Sequence, residues 1–174
     1  NVSFGGSGEE TVSSVAASAD GGCIVAGYTN SNDGDVSNNN GENDYWVVKL
    51  NSLGILQWQK TLGGTSQHDY AYAVLENTEG EFVVAGSAFS KDGDLKEKKK
   101  QGADDYWVVA LNGNGKINWA YNYGGLKKDI ARSIVETNDK SYVIAGSTES
   151  NDQDVSGNHG QTDFWLYKIK SNGK

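Results

Sequence analysis

Three landmarks recur along this chain at one spacing, and that repetition constrains the fold more than any local propensity does. Ile24–Gly27 reads IVAG, Val83–Gly86 VVAG and Val143–Gly146 VIAG, at steps of 59 and 60 residues. Glycine pairs begin at Gly5, Gly63 and Gly124, at steps of 58 and 61. The motifs DYW, DYW and DFW begin at Asp44, Asp105 and Asp163, at steps of 61 and 58. Three independent landmarks with a common period near 59 residues mark three copies of one unit.

Each unit reads as short strands separated by turns. The runs SSVAAS, AYAVLEN and RSIVETN precede the turns ADGG, TEGE and NDKS, a hairpin signature. The IVAG-type run follows as a second strand, its small Ala and Gly admitting a close backbone. After a long polar loop come YWVVKL, YWVVAL and FWLYKI, and then the fourth-strand runs ILQWQKTL and INWAYNY. β-branched and aromatic residues dominate these runs, and no long window carries a helical period. The expectation is an all-β chain of three four-stranded antiparallel repeats of about 59 residues, each a β-propeller blade, forming a partial propeller or part of a larger ring. Residues 1–174 form a single repeat domain with units at 5–62, 63–123 and 124–174, and residues 1–4 end a preceding outer strand. Val15, Val74 and Ile134 fall in the innermost strands. A β-trefoil also has three four-stranded units, but its units are usually shorter and lack this AG…D-W grammar.

The stretch GGSGEETVSSVAASADGGCIVAGYTNSNDGDVSNNNGENDYWVVKLNSLGILQWQKTLGG resembles the propeller-type repeats of secreted and surface proteins of Bacteroidetes and some clostridia. Those repeats follow a pattern of GG, an acidic residue, DGGY-VAG-T-S-DGDV-G and D-WVVKLD-GNI-WQK-YGG. The likeness covers essentially the whole chain in three copies. It implies an extracellular or cell-surface location in bacteria and a scaffold or adhesive role, and it carries over no catalytic residues.

Composition narrows the partners. Apolar residues make up 36% of the 174, and 23 glycines with many Asn, Ser and Asp point to numerous exposed turns. A formal charge of −8 argues against nucleic acid and anionic membranes, both of which need clustered cations. No run of 18 apolar residues offers a membrane-spanning helix. The chain begins at Asn1 without Met, as expected of a mature or excised segment. The single cysteine, Cys23, aligns with Phe82 and Tyr142 and is expected to be a small packed hydrophobe.

The long loops hold the candidate metal sites. Asp33, Asp35, Ser37, Asn39 and Asp44 stand at positions 1, 3, 5, 7 and 12 of the first loop. Asp152, Asp154, Ser156, Asn158 and Asp163 stand at the same positions of the third, with Gly157 at position 6. Alternating oxygen donors, a central glycine and a late carboxylate approximate a calcium loop. The second loop keeps Asp92 and Asp94 but has Lys96 and Lys98 in place of donors, so calcium is expected at loops one and three only. The alternative is that the aspartates are turn formers, with Asp44, Asp105 and Asp163 capping the third strand in every copy.

Glu10, Asp69 and Asp129 precede the aligned apolar positions by five residues each. As a convergent acidic cluster they could perturb one another's pKa values. As a structural device each would tie down its glycine pair, and occurrence in every unit favours that role. His68 and His159 lie in different loops without a second His or Cys at ligand spacing, which argues against zinc. The run Lys96–Lys100 reads as a solvated loop tip, and the tryptophans read first as packing between units. The expected function is a noncatalytic extracellular scaffold, adhesion or binding module, with a carbohydrate-binding module, calcium-assisted or not, as the alternative. Expected partners are further blades of a parent chain or a second copy of this chain, with a protein or glycan ligand. The apolar half-strand I-x-W is missing at both ends, which reads as an excerpt of a longer array; the alternative is a dimer in which residues 1–4 complete the partner's third blade.

Overall fold

The computed structural model describes residues 2–65, 67–95 and 102–174. The described residues form eleven strands and no helix. The first repeat contributes β1 (Glu10–Ala17), β2 (Cys23–Thr29), β3 (Asp44–Leu50) and β4 (Leu56–Leu62). The second contributes β5 (Asp69–Glu76), β6 (Phe82–Ala88), β7 (Asp105–Leu111) and β8 (Ile117–Tyr123). β9 (Asp129–Glu136), β10 (Tyr142–Thr148) and β11 (Asp163–Ile169) belong to the third.

Each repeat is an antiparallel meander whose strands pair in sequence order, giving sheets of four, four and three strands. The four-stranded expectation therefore holds for two units and is corrected for the third. There the residues after β11 form a turn, with Gly173 N–H donating to Lys170 O, that matches the turns leading into β4 and β8. Turn chemistry is local: the Asn51, Asn77 and Asn112 side chains each accept two backbone N–H bonds from the residues that follow.

Register repeats with the sequence. Thr29 faces Asp44, Ala88 faces Asp105, and Thr148 faces Asp163. Every first strand carries a bulge, which leaves Ser13, Tyr72 and Arg132 outside the ladder.

The core lies between sheets. Tyr45, Val47, Ile24, Ala26 and Leu62 on the forward face of the first sheet pack on Trp107, Val109, Leu111, Phe82 and Val84 of the second. One repeat on, Tyr106, Val108, Val83 and Tyr123 pack on Trp165, Ile169, Tyr142 and Ile144. Strand-to-strand contact between neighbouring sheets centres on β5 against β1, β2 and β3, and on β9 against β5, β6 and β7. β7, covered on both faces, is buried along its whole length, whereas the aligned β11 alternates because only one of its faces is covered.

A tyrosine latch recurs at both joints. Tyr45 Oη donates to Trp107 O at 3.0 Å, and Tyr106 Oη donates to Trp165 O at 3.0 Å. The hydroxyls reach the facing sheet because Gly86 and Gly146 have no side chain: a Cβ there would lie 2.6 Å and 2.5 Å from them. The close backbone for which the AG pair leaves room is the bulged first strand: a Cβ on Gly86 or Gly146 would strike Tyr70 O or Ile130 O. Cys23, on the uncovered rear face of the first sheet, is only half-buried, while its counterparts Phe82 and Tyr142 are buried.

Replacing Gly86 with Ala should push against Tyr70 O in β5 as well as the Tyr45 hydroxyl and cost about 1–3 kcal/mol. Urea unfolding of Gly86→Ala beside the parent protein measures it, and an unchanged midpoint would contradict this account of the joint.

Candidate functional site

The long loops fold back on the glycine pairs. Asp33 accepts from Ser7 N–H at 2.7 Å, while Asp35 accepts from Gly5 N–H at 3.1 Å and donates its own N–H to Gly5 O. The second loop repeats the pattern: Asp92 accepts from Thr65 N–H at 2.7 Å and Asp94 from Gly63 N–H at 3.4 Å. In the third, Asp152 accepts from Leu126 N–H at 2.8 Å and Asp154 from Gly124 N–H at 3.2 Å. Gly34 and Gly93 sit between these aspartates with φ of 64° and 67°, a conformation that favours glycine, and Gln153 adopts it in the third loop at 54°. Val36, Leu95 and Val155, next in sequence, are buried and anchor each loop; they follow every DGD or DQD motif.

The remaining metal candidates turn to other partners. Ser37 Oγ accepts from Gln59, and Asn39 binds Thr29 O and Gly41 N–H. Asn158 repeats the latter with Thr148 O and Gly160 N–H, while Ser156 is exposed. Asp44 Oδ2 accepts from Asn40 N–H, and Asp163 Oδ2 accepts from His159 N–H. Among the described residues no three His, Cys, Asp or Glu side chains form a group suited to a metal ion. Lys96 to Lys100 lie outside the described residues.

A second layer of carboxylates closes each joint. Glu10 Oε2 accepts from Gly6 N–H at 3.0 Å, Asp69 Oδ2 from Gly64 N–H at 3.1 Å, and Asp129 Oδ2 from Gly125 N–H at 2.7 Å. Their other oxygens reach the end of the second strand: Glu10 binds the Thr29 hydroxyl, Asp69 the Phe89 and Ser90 N–H groups, and Asp129 the Thr148 hydroxyl. This is the tie-down geometry expected of a structural carboxylate.

Asp44 and Asp69 both face Gly63, where an added Cβ would strike Asp44 Oδ1 and stand 2.8 Å from Asp69 Oδ2. Asp44 is fully buried, and its Oδ1 has no hydrogen-bond partner. Burial pushes its carboxyl up to about 6; the Asn40 N–H opposes the rise, and the charges of Asp69 and Asp94 add to it. Asp69 is also raised by burial, against its hydrogen bonds. Asp33 and Asp92, exposed and bonded to Ser7 and Thr65, are lowered.

Two features break the three-fold pattern, and sequence reasoning passed over both. Tyr28 meets Tyr70 edge-on at 4.7 Å, His68 stacks on Tyr70 at 5.6 Å, Tyr72 follows at 6.3 Å, and the Arg132 guanidinium lies 4.3 Å from the Tyr72 ring centre. This half-exposed aromatic strip spans the three sheets at their loop end. Its residues align with Ser87 and Ser147, and with Thr11 and Ile130, so their departure from the repeat was the available signal. At the opposite end Lys49 is buried, with Nζ donating to Asp20 at 2.7 Å, Gln57 at 3.0 Å and Leu50 O at 2.9 Å. All three of its donors are used, which makes it a structural cation; the third repeat keeps the ion pair as exposed Lys168 with Asp139 at 2.7 Å, and the second, with Ala110 at that place, lacks it. Comparison with known protein families and with characterised proteins finds no match for this chain.

Because the native state holds protons on Asp44 that the unfolded chain releases, Asp44 lowers stability as pH rises through about 4 to 6. Asp44→Asn should therefore gain stability over the parent across that window, reaching a plateau of about 2 kcal/mol after allowance for solvent screening near the loop. Denaturant melts at a series of pH values would show it; a constant difference would refute it. Asp33→Ala, Asp92→Ala and Asp152→Ala should all lower the unfolding midpoint by similar amounts, since each breaks the same backbone bond. A silent Asp92→Ala would instead favour calcium at the other two loops.

Proposed function

We propose that this chain is a noncatalytic scaffold and adhesion module built of propeller-type blades and working outside the cell or at its surface. The supporting observation is that Glu10, Asp69 and Asp129, with the DGD-type aspartates, are spent three times over on backbone N–H groups. Catalysis needs an acid, base or nucleophile free to meet a substrate, and it usually breaks symmetry. Trp46, Trp107 and Trp165 are buried in or against the sheets, which fits packing better than ligand stacking. The resemblance to secreted repeats supports the location.

A second reading, a carbohydrate-binding module, rests on the strip Tyr28–Tyr70–Tyr72 with Arg132. A row of half-exposed rings offers apolar faces to sugar C–H groups, and the neighbouring polar loops offer hydroxyl partners. Calcium belongs to this reading at loops one and three, where binding would have to displace the bonds of Asp33, Asp35, Asp152 and Asp154.

A glycan array separates the two. The scaffold reading expects no retained glycan with or without millimolar calcium. Retention that Tyr70→Ala abolishes, with an unchanged circular dichroism spectrum, would replace it with the carbohydrate reading.

A further inference from the structure

The two end faces of the chain are apolar and uncovered. On the third sheet, Phe164 and Leu166 occupy the places of Tyr45 and Val47 and of Tyr106 and Val108. Those four are fully buried, while Phe164 is 98% and Leu166 70% exposed. On the rear of the first sheet, Val12 and Val15 occupy the places of Ala71 and Val74 in the second, and both are 65% exposed. A terminal repeat that ends in water usually turns a polar face outward. These two faces do not.

What covers each face is visible inside the chain. The forward face of one sheet meets the rear face of the next twice, through corresponding residues. The open forward face of the third sheet and the open rear face of the first are thus the two halves of a joint already made twice. The rear face keeps its receiving slot: Gly27 aligns with Gly86 and Gly146, and an open groove of about 330 Å³ beside it is walled by Val12, Val25, Trp46 and Phe4. Phe4 packs on Trp46 and Val48, and it aligns with Leu62 and Tyr123. Those two face Tyr45 and Tyr106 across β3–β4 and β7–β8, which gives Phe164 the same register opposite an incoming Phe4.

We propose that a second copy of this chain covers both faces, head to tail, so that two chains close one ring of six sheets with two identical intermolecular joints. Residues 2–4 of each chain then supply the edge strand that the partner's β11 lacks. Six sheets fall within the roughly four to eight blades of ordinary propellers, and closure leaves no apolar face in water. The proposal is independent of the scaffold and glycan readings, since assembly is measured without a ligand.

The intermolecular joint keeps the apolar footprint and lacks two polar anchors. Phe164 has no hydroxyl to donate to Trp46 O as Tyr45 and Tyr106 donate to Trp107 O and Trp165 O. Ala17 stands where Glu76 and Glu136 accept the turn N–H groups of Ala19 and Thr78 from the preceding repeat, both at 2.8 Å. The joint between chains is therefore weaker than the joints within one, and its assembly is reversible.

Size-exclusion chromatography with light scattering across the micromolar range tests this. The 174-residue chain should give twice its 18.6 kDa mass, falling to one chain on dilution. Phe164→Asp with Leu166→Asp should give one chain at all concentrations, with an unchanged circular dichroism spectrum because both side chains are exposed. Phe164→Tyr and Ala17→Glu should each tighten the dimer about 25-fold, the effect of one added hydrogen bond at each of the two joints. A parent chain of single mass throughout, or a dimer that survives Phe164→Asp, would overturn the proposal whatever the glycan array shows.

Discussion

Each joint in this protein is closed at its loop end by a carboxylate that accepts backbone N–H groups from a glycine pair. Asp69 and Asp129 are fully buried there, and each carries bonds on both oxygens, so the bends they hold leave few polar groups without partners. The long loop then folds over the same pair and adds a second carboxylate pair from the DGD-type motif. With the bend fixed, one sheet can lie face to face on the next. The tyrosine latches and the apolar core follow from that placement.

The same device concentrates negative charge in a small volume. Asp44, Asp69 and Asp94 meet around Gly63; burial raises the first two above ordinary carboxyl values, and the charges of Asp69 and Asp94 add to the rise at Asp44. Elsewhere exposed aspartates bonded to backbone are lowered. The acid response of the fold is the balance of these opposed groups. Against this repeated frame, the aromatic strip stands out as the place where the units differ, while the Lys49–Asp20 pair recurs as Lys168–Asp139 and is missing only at Ala110. Lys49 is bonded on every donor; the strip is half-exposed at the loop end, with His68 stacked on Tyr70 and Arg132 over Tyr72.

The repeat also accounts for the ends. A sheet whose core is shared with its neighbours cannot be complete alone, and the outermost faces show it in Val12, Val15, Phe164 and Leu166. β11 and β7 are aligned strands, DFWLYKI and DYWVVAL, with aromatic or aliphatic residues matched at five of the seven places, yet one alternates in burial and the other is buried throughout. That difference arises from what lies beside the strand and not from the strand itself.

The strands, their antiparallel order and the turns between them were legible in the sequence, with four per unit expected and three formed in the last, because alternation, Asn- and Gly-rich turns and a period near 59 are local or repeated signals. The tie-down role of Glu10, Asp69 and Asp129 was legible too, since a feature present in every unit serves what every unit needs. The partners of the DGD-type aspartates were not: alternating oxygens suit a cation and a backbone bend equally well, and only the fold brings Ser7, Thr65 and Leu126 within reach of them. The anchoring of Val36, Leu95 and Val155 and the strip from Tyr28 to Arg132 were likewise decided in three dimensions. The sequence by itself determined the unit and its count; the tertiary structure decided which faces meet, because contact between residues about 60 apart depends on how the sheets stack and leaves no mark on either segment alone.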